Sequence, residues 1–220
     1  MSDGQYIEYP VTAIRDINSK RRLVEINNEP VFALYNSEIR KYGIKKDINI
    51  PNDVYQEIIT EVLSKRAIVR TMHLLESRDY TQYELEKKLK DAYYPDICIQ
   101  QAVDYVSRFG YLNDKRYVEN YITFQAPNKS KMQIMQFLGR KGIDKATVEA
   151  VYEEYYEMHG DTEVDQLVVQ MRKKAGKYNL SEYADKTKLM GYFYRKGYQS
   201  DNIKKALDII VNERYNTSFS

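Results

Sequence analysis

Apolar residues recur along this chain in three places with the same geometry. Ile99, Ala102, Val103 and Val106 stand at i, i+3, i+4 and i+7; Val148, Val151, Tyr152 and Tyr155 repeat that spacing, and so do Ile203, Ala206, Leu207 and Ile210. This is the interval of one buried helix face. Fourteen residues before each stripe lies another apolar residue, Leu85, Ile134 or Leu189, followed four residues later by Leu89, Leu138 or Phe193. An amphipathic stretch precedes each pair: residues 67–75, then Tyr117, Val118, Tyr121 and Ile122, then Leu167, Val168 and Met171. One stripe is what any surface helix shows, but agreement of stripe, offset and order three times marks a repeat. The pattern predicts three tandem three-helix units whose last stripes begin 49 and 55 residues apart.

The first fifty residues follow a different rule. Val11-Thr12-Ala13-Ile14, Arg22-Leu23-Val24-Glu25-Ile26 and Val31-Phe32-Ala33-Leu34-Tyr35 are rich in β-branched and aromatic residues, with turn formers between them. They predict a three-stranded meander, too small to stand alone and therefore packed on a neighbour. A short helix over residues 37–42 follows, ending at Gly43. From Pro51 the pattern turns helical, capped by Asn52 or Asp53, with Val54, Ile58, Val62, Val69 and Met72 at helical spacing. The predicted fold is mainly α: a small β-meander extension over 1–51, then three-helix repeats over 52–113, 114–160 and 161–220. Such units stack on one another, giving an elongated array that binds along a surface.

The connections agree with this reading. Gly139-Arg140-Lys141-Gly142-Ile143-Asp144 closes one helix with glycine and opens the next near Asp144. Tyr194-Arg195-Lys196-Gly197-Tyr198 does the same before Ser200 or Asp201. The corresponding stretch of the first unit, Lys90-Asp91-Ala92-Tyr93, has no glycine, so its cap must differ.

Composition narrows the function. Lys plus Arg is 34 against 32 Asp plus Glu in 220 residues, a net charge of +2. The four segments carry net charges of +1, −2, 0 and +3, so bulk charge does not force nucleic-acid binding. A single cysteine, Cys98, lies between two isoleucines and reads as a buried small apolar side chain in a reducing cytoplasm. Only His73 and His159 are available for histidine chemistry. No apolar run is long enough for a membrane helix, and Met1-Ser2-Asp3-Gly4-Gln5 lacks the layout of a signal peptide. Neither a nucleophile–base pair nor a phosphate loop stands out, Gly139-Arg140-Lys141-Gly142 having the wrong order for one. His159 to Asp165 reads as a helix start capped by Asp161 or Thr162 rather than a metal loop. The chain is expected to be no enzyme and to hold no metal or cofactor.

The candidate contact residues are therefore basic. Lys129 and Lys131 precede a helix that ends in Arg140 and Lys141. A denser group comprises Arg172, Lys173, Lys174 and Lys177, with Lys186, Lys188, Arg195 and Lys196. Arg-Lys recurs at equivalent loops, which argues for an aligned cationic edge over a merely solvated face. Tyrosine is abundant, 22 residues with no tryptophan. Tyr121, Tyr152, Tyr155 and Tyr192 fall on core stripes. Tyr178, Tyr183, Tyr194 and Tyr198 adjoin the basic group, where they either pack or stack on bases. Glu149, Glu153, Glu154 and Glu157 face away from their helix's apolar stripe, toward solvent or a basic partner.

Gly110-Tyr111-Leu112-Asn113-Asp114-Lys115-Arg116-Tyr117 resembles a motif of the RecX family, regulators of the bacterial recombinase RecA. Glu84, Leu85, Lys88 and Leu89 match the family's preceding element, and Leu138, Lys141, Gly142 and Ile143 its later one. Val118 replaces the usual alanine, Asn113 the commoner aspartate, and the first Lys-Gly is missing. In structural terms Gly110 is the residue that ends one helix, Tyr111 and Leu112 are core, and Asn113 or Asp114 caps the next helix. The resemblance implies tandem three-helix repeats and a monomeric cytoplasmic regulator. Such a protein would lie in the groove of the RecA filament on single-stranded DNA and inhibit ATPase and strand exchange. The alternatives are a DNA-binding helical-repeat protein acting without a recombinase, and an adaptor for another helical assembly.

Overall fold

The structure is a computed structural model that describes residues 8–160 and 162–217. The amino-terminal pentapeptide and Asp161, both singled out above, lie outside the described residues. The chain forms two compact units, Met1–Asn113 and Asp114–Ser220.

In the first unit, β1 (Tyr9–Asp16), β2 (Arg21–Ile26) and β3 (Glu29–Tyr35) form an antiparallel meander. A two-residue strand, β4 (Asn49–Ile50), adds to the far side of β1, giving the order β3-β2-β1-β4. Asn27 and Asn28 both take positive φ in the β2–β3 turn, as a tight right-twisted hairpin requires. Helix α1 (Asn36–Lys41) follows, and α2 (Asn52–Glu57) runs through a π-helical stretch, Ile58–Ser64, into α3 (Lys65–Ser77). Helices α4 (Gln82–Lys90) and α5 (Asp96–Arg108) complete the unit. Sheet and helices share one core: Val24, Phe32 and Leu34 join Ile58, Leu63, Leu85, Leu89, Cys98 and Val106. Tyr9 stacks on Tyr55 with ring centroids 3.8 Å apart, fastening β1 to α2.

Two expectations fail here. Neither Asn52 nor Asp53 caps the long helix. Pro51 holds the cap position with no side-chain bond, and the Asn52 side chain instead accepts from the Tyr9 hydroxyl. The helical spacing through Val62, Val69 and Met72 also loses phase, because a π turn inserts an extra residue. Ile58 is buried as expected and Val54, Val62 and Met72 pack partly buried against the core, but Ile59, Leu63, Ala67 and Thr71 take the fully buried positions and Val69 is 53% exposed. The widened turn is sealed locally. The Ser64 hydroxyl donates to the Ile59 carbonyl at 2.8 Å, and the Cys98 thiol reaches the same oxygen at 3.6 Å. Cys98 is buried, and burial pushes its thiol pKa up, against a smaller opposing effect from Ser64. It is a packing residue.

The second unit has two cores. Helices α6 (Asp114–Gln125), α7 (Lys131–Arg140) and α8 (Lys145–His159) enclose Val118, Ile122, Ile134, Leu138, Val148, Val151 and Tyr152. Helices α9 (Glu163–Ala175), α10 (Tyr183–Arg195) and α11 (Ser200–Thr217) enclose Leu167, Met171, Leu189, Phe193, Ile203, Ala206 and Ile210. Thr162 and Asp165 form a capping box at the start of α9, and Asp144 caps α8. Helix α11 begins at Ser200, with the Gln199 carbonyl accepting its first bond, so neither Ser200 nor Asp201 precedes it as the cap.

The turn after the middle helix is the same three times over. Tyr94, Ile143 and Tyr198 donate their amides to the carbonyls of Leu89, Leu138 and Phe193, five residues back. The residue before each donor takes positive φ: Gly142 (81°), Gly197 (85°) and, in the unit without glycine, Tyr93 (62°). The cap that the sequence left open is therefore a tyrosine in a glycine conformation.

Candidate functional site

The basic residues of the second unit rest on aromatic rings. Phe137 directly precedes the buried Leu138 on α7 and stacks on Tyr121 of α6, centroids 4.3 Å apart. Lys141, four residues after Phe137, has its ammonium 5.6 Å from that ring's centroid, and Lys129 lies 5.7 Å from it. Lys129 also donates to the Tyr121 hydroxyl at 2.9 Å. One repeat later the device recurs. Tyr192 directly precedes the buried Phe193, Lys196 lies four residues on at 5.2 Å from its ring, and Lys174 stands over it at 4.3 Å. Each ring holds its ammonium groups by the negative face of its π-system, worth about 0.5–1 kcal/mol per contact at exposed sites.

A polar joint connects the two clusters. Ser130 accepts from the Gln133 amide as the cap of α7 and donates its hydroxyl to the Lys196 carbonyl at 2.7 Å. Lys129 of one cluster is thus one residue from a direct bond to Lys196 of the other. Glu163 at the start of α9 accepts from the Lys131 amide and from the Asn202 side chain, both at 2.9 Å. Gln170 donates to the Pro127 carbonyl and to the Tyr198 hydroxyl. At Gly197 a Cβ would lie 3.1 Å from Ser130 Oγ and 3.2 Å from Met132 Sδ, so glycine is required there twice, for its φ and for its closeness to α7. Lys141, Phe137 and Lys129 on one side and Lys196, Tyr192 and Lys174 on the other make a track of two clusters, linked through the Ser130–Lys196 bond.

The other sequence-designated residues divide. Lys131 stands over the Tyr152 ring at 5.4 Å, on the joint itself. Arg172 is bound by Glu213 through two parallel contacts, Nη2–Oε1 at 2.7 Å and Nε–Oε2 at 3.2 Å, and Lys188 pairs with Asp185 at 3.0 Å. Their charge is locally balanced. Arg140, Lys173, Lys177 and Arg195 are exposed. Among the tyrosines, Tyr198 is 2% exposed with its hydroxyl bonded to Gln170, and burial pushes its pKa up to about 12. It cannot stack on a base. Tyr183 and Tyr194 are exposed, and Tyr178 packs at the rim of the third core.

Tyr111 also departs from expectation. It is 54% exposed, beside Phe109 and Tyr105, while Leu112 alone of the motif pair enters the core. Gly110 takes φ of 70° at the helix end as expected, and α6 begins at Asp114, with Asn113 just ahead of it. Of the acidic residues, Glu149 pairs with Lys145 and Glu154 with Lys115. A 540 Å³ cleft in the first unit is lined by Glu86, Asp91 and Asp96 together with Lys87 and Lys90, a mixture that selects neither sign of ligand.

Sequence reasoning found the lysines and missed their supports. The signal was present: an aromatic immediately before a buried Leu138 or Phe193, with lysine four residues on, is a helical i, i+4 pair. No spacing shows that Lys129 and Lys174 approach the same rings.

Residues 161–207 match the family model described as RecX, third three-helix domain, the segment that contains α9, α10 and the start of α11. The regulatory protein RecX of Caldanaerobacter subterraneus subsp. tengcongensis is 25% identical over 197 residues, covering 89% of this chain and 96% of the relative. That of Clostridium acetobutylicum is 25% identical over 210 residues, covering 94% and 98%. The crystal structure of a regulatory protein RecX superposes with a TM-score of 0.57 at 16% identity, over 92% of this chain and all of that one, a likeness of fold. Among the described residues, no helix is long and apolar enough to cross a membrane.

Proposed function

This chain belongs to the RecX family, and from that premise we propose that it is a non-enzymatic, monomeric cytoplasmic regulator of the recombinase RecA. In this reading it binds the RecA filament on single-stranded DNA, in the filament groove, and inhibits ATP hydrolysis and strand exchange. The observation that carries the reading is the track across the joint, in which two equivalent lysine–aromatic clusters are held in fixed register by Ser130 and Lys196. Repeated cationic contacts on one scaffold suit a repeating polyanionic partner, because each contact raises the effective concentration of the next. Of the designated basic residues, Lys129, Lys141, Lys174 and Lys196 form the principal contact, with Lys131, Arg140, Lys173, Lys177 and Arg195 flanking it. Arg172 and Lys188 contribute least, since Glu213 and Asp185 already hold them. We take 52–113, 114–160 and 161–220 as the three repeats.

The test is to titrate the protein into the single-stranded-DNA-dependent ATPase of RecA from the same organism, with DNA in excess. Inhibition below one protein per recombinase is the expected result. No effect at several-fold excess contradicts the reading. The same track supports a second reading, direct DNA binding without a recombinase. It predicts tight binding to bare single strands, with affinity falling by about 0.7 log units per log unit of salt for each phosphate contacted.

A further inference from the structure

Three guanidinium groups meet in the first unit at a place that no contiguous run of the sequence marks. Arg21 on β2 stands directly opposite Tyr35 on β3, so both side chains leave the same face of the sheet. Arg66 on α3 lies over the Tyr35 ring, 4.6 Å from its centroid, and pairs with Glu38. Arg70, one helical turn further along α3, is exposed. Arg21 donates to the Ala92 carbonyl at 2.8 Å, two residues before Tyr94. Tyr94 is buried, which raises its phenol pKa, while Arg66, Arg21 and Arg70 each act to lower it. All three cations are near enough to Tyr94 to act on its hydroxyl.

The charge here is not balanced. Glu38 is bound to Arg66, and among the described residues neither Arg21 nor Arg70 forms an ion pair. The Arg66 side chain is only 20% exposed, and its buried Nη1 has no hydrogen-bond partner among the described residues. A buried cationic donor without an acceptor is costly. Planar guanidinium forks match phosphate oxygens better than any other side chain, and an oxyanion between them would supply both the missing acceptor and the missing charge.

We propose that Arg21, Arg66 and Arg70, with the Tyr94 hydroxyl, form a phosphate-binding site on the first unit. It takes a phosphate oxyanion, either free or within a nucleic-acid backbone. The site stands apart from the lysine track and does not depend on the RecA reading. Arg66 keeps Nη2 on Glu38 and turns Nη1 out of its buried position to meet the oxyanion, while Arg70 supplies the solvent-side arm.

The test titrates the full chain with inorganic phosphate by calorimetry and with a short labelled oligothymidylate by anisotropy. Arg70→Glu and Arg21→Gln are made separately. Arg70 is exposed, so its replacement leaves the core untouched. Loss of one charged contact is expected to weaken binding of whichever probe occupies the site roughly tenfold. If the occupant is a DNA backbone, Arg70→Glu also lowers the salt slope by about 0.7, and inorganic phosphate competes with the oligonucleotide. If it is free phosphate, the calorimetric signal falls and the oligonucleotide is indifferent to the variant. The proposal is overturned if the wild type binds neither probe, or if both variants bind both probes as the wild type does.

Discussion

The turns at Tyr93 and Gly197 are the same in hydrogen bonding and opposite in surroundings. Both donate the following amide five residues back, to Leu89 and to Phe193, and both hold a left-handed residue. At Gly197 the neighbouring repeat leans on the turn, with Ser130 and Met132 so close that a methyl group would crowd them. At Tyr93 the neighbour is a sheet edge: the Ala33 amide bonds the Tyr93 carbonyl and Arg21 bonds that of Ala92. These contacts use the backbone and leave room for a side chain. The contrast explains how a repeat loses its glycine: where helices pack on the turn the glycine is obligatory, and where a strand docks it is dispensable at the cost of some strain. It also gives the amino-terminal strands a role, since they brace the first repeat at the turn where the third repeat receives α7.

Substitutions break this comparison in a definite order. Gly197→Ala should have the largest effect, destabilising by about 3 kcal/mol, because left-handed strain adds to the clash with a pinned Ser130 hydroxyl. Denaturant unfolding measures it, and a cost below that of Tyr93→Ala would contradict the account. Ser130→Ala follows at about 2 kcal/mol, since it removes the α7 cap and strips the Lys196 carbonyl of its donor. Tyr93→Gly runs the other way, raising stability by up to about 1 kcal/mol as the strain is relieved, with the smaller net gain set by glycine's entropy.

The smallest effect is on pH dependence. Thr147 and Thr162, through hydroxyl and then backbone bonds, hold the carboxyls of Asp144 and Asp165 below the usual carboxylate range. A depressed folded pKa means that this stabilisation is complete above the unfolded pKa and is lost as pH falls through the folded one. Asp144→Asn and Asp165→Asn should therefore lower the melting temperature slightly in the neutral range, where the carboxylates are charged, and flatten its fall below about pH 4.

The sequence made the helices legible because their buried faces repeat at 3.6 residues. Leu85, Ile134 and Leu189 and the three stripes behind them are in cores, with Tyr155 alone only partly buried against its core. Two residues of β4 carry no periodic signal, and the π turn at Ile58–Ser64 shifts the helix phase without any mark in composition, which is why Val69 was misplaced. Tyr93 was illegible for the opposite reason: nothing in a tyrosine announces a left-handed backbone. The lysines of the track were visible as charge runs, but the rings beneath Lys129 and Lys174 come from other helices. Arg21 and Arg66 are 45 residues apart and come together only around Tyr35 of β3, which stands opposite Arg21 and under Arg66.

The central claim is that two lysine clusters, fixed across one joint, act as a single contact surface on the RecA filament. Its most direct test compares the wild type with Lys129→Ala/Lys141→Ala/Lys174→Ala/Lys196→Ala in the single-stranded-DNA-dependent RecA ATPase, after melting curves show that both are folded. The account predicts substoichiometric inhibition by the wild type and a loss of at least about tenfold in potency for the variant, since four charged contacts are removed. Equal inhibition by the two proteins would contradict it.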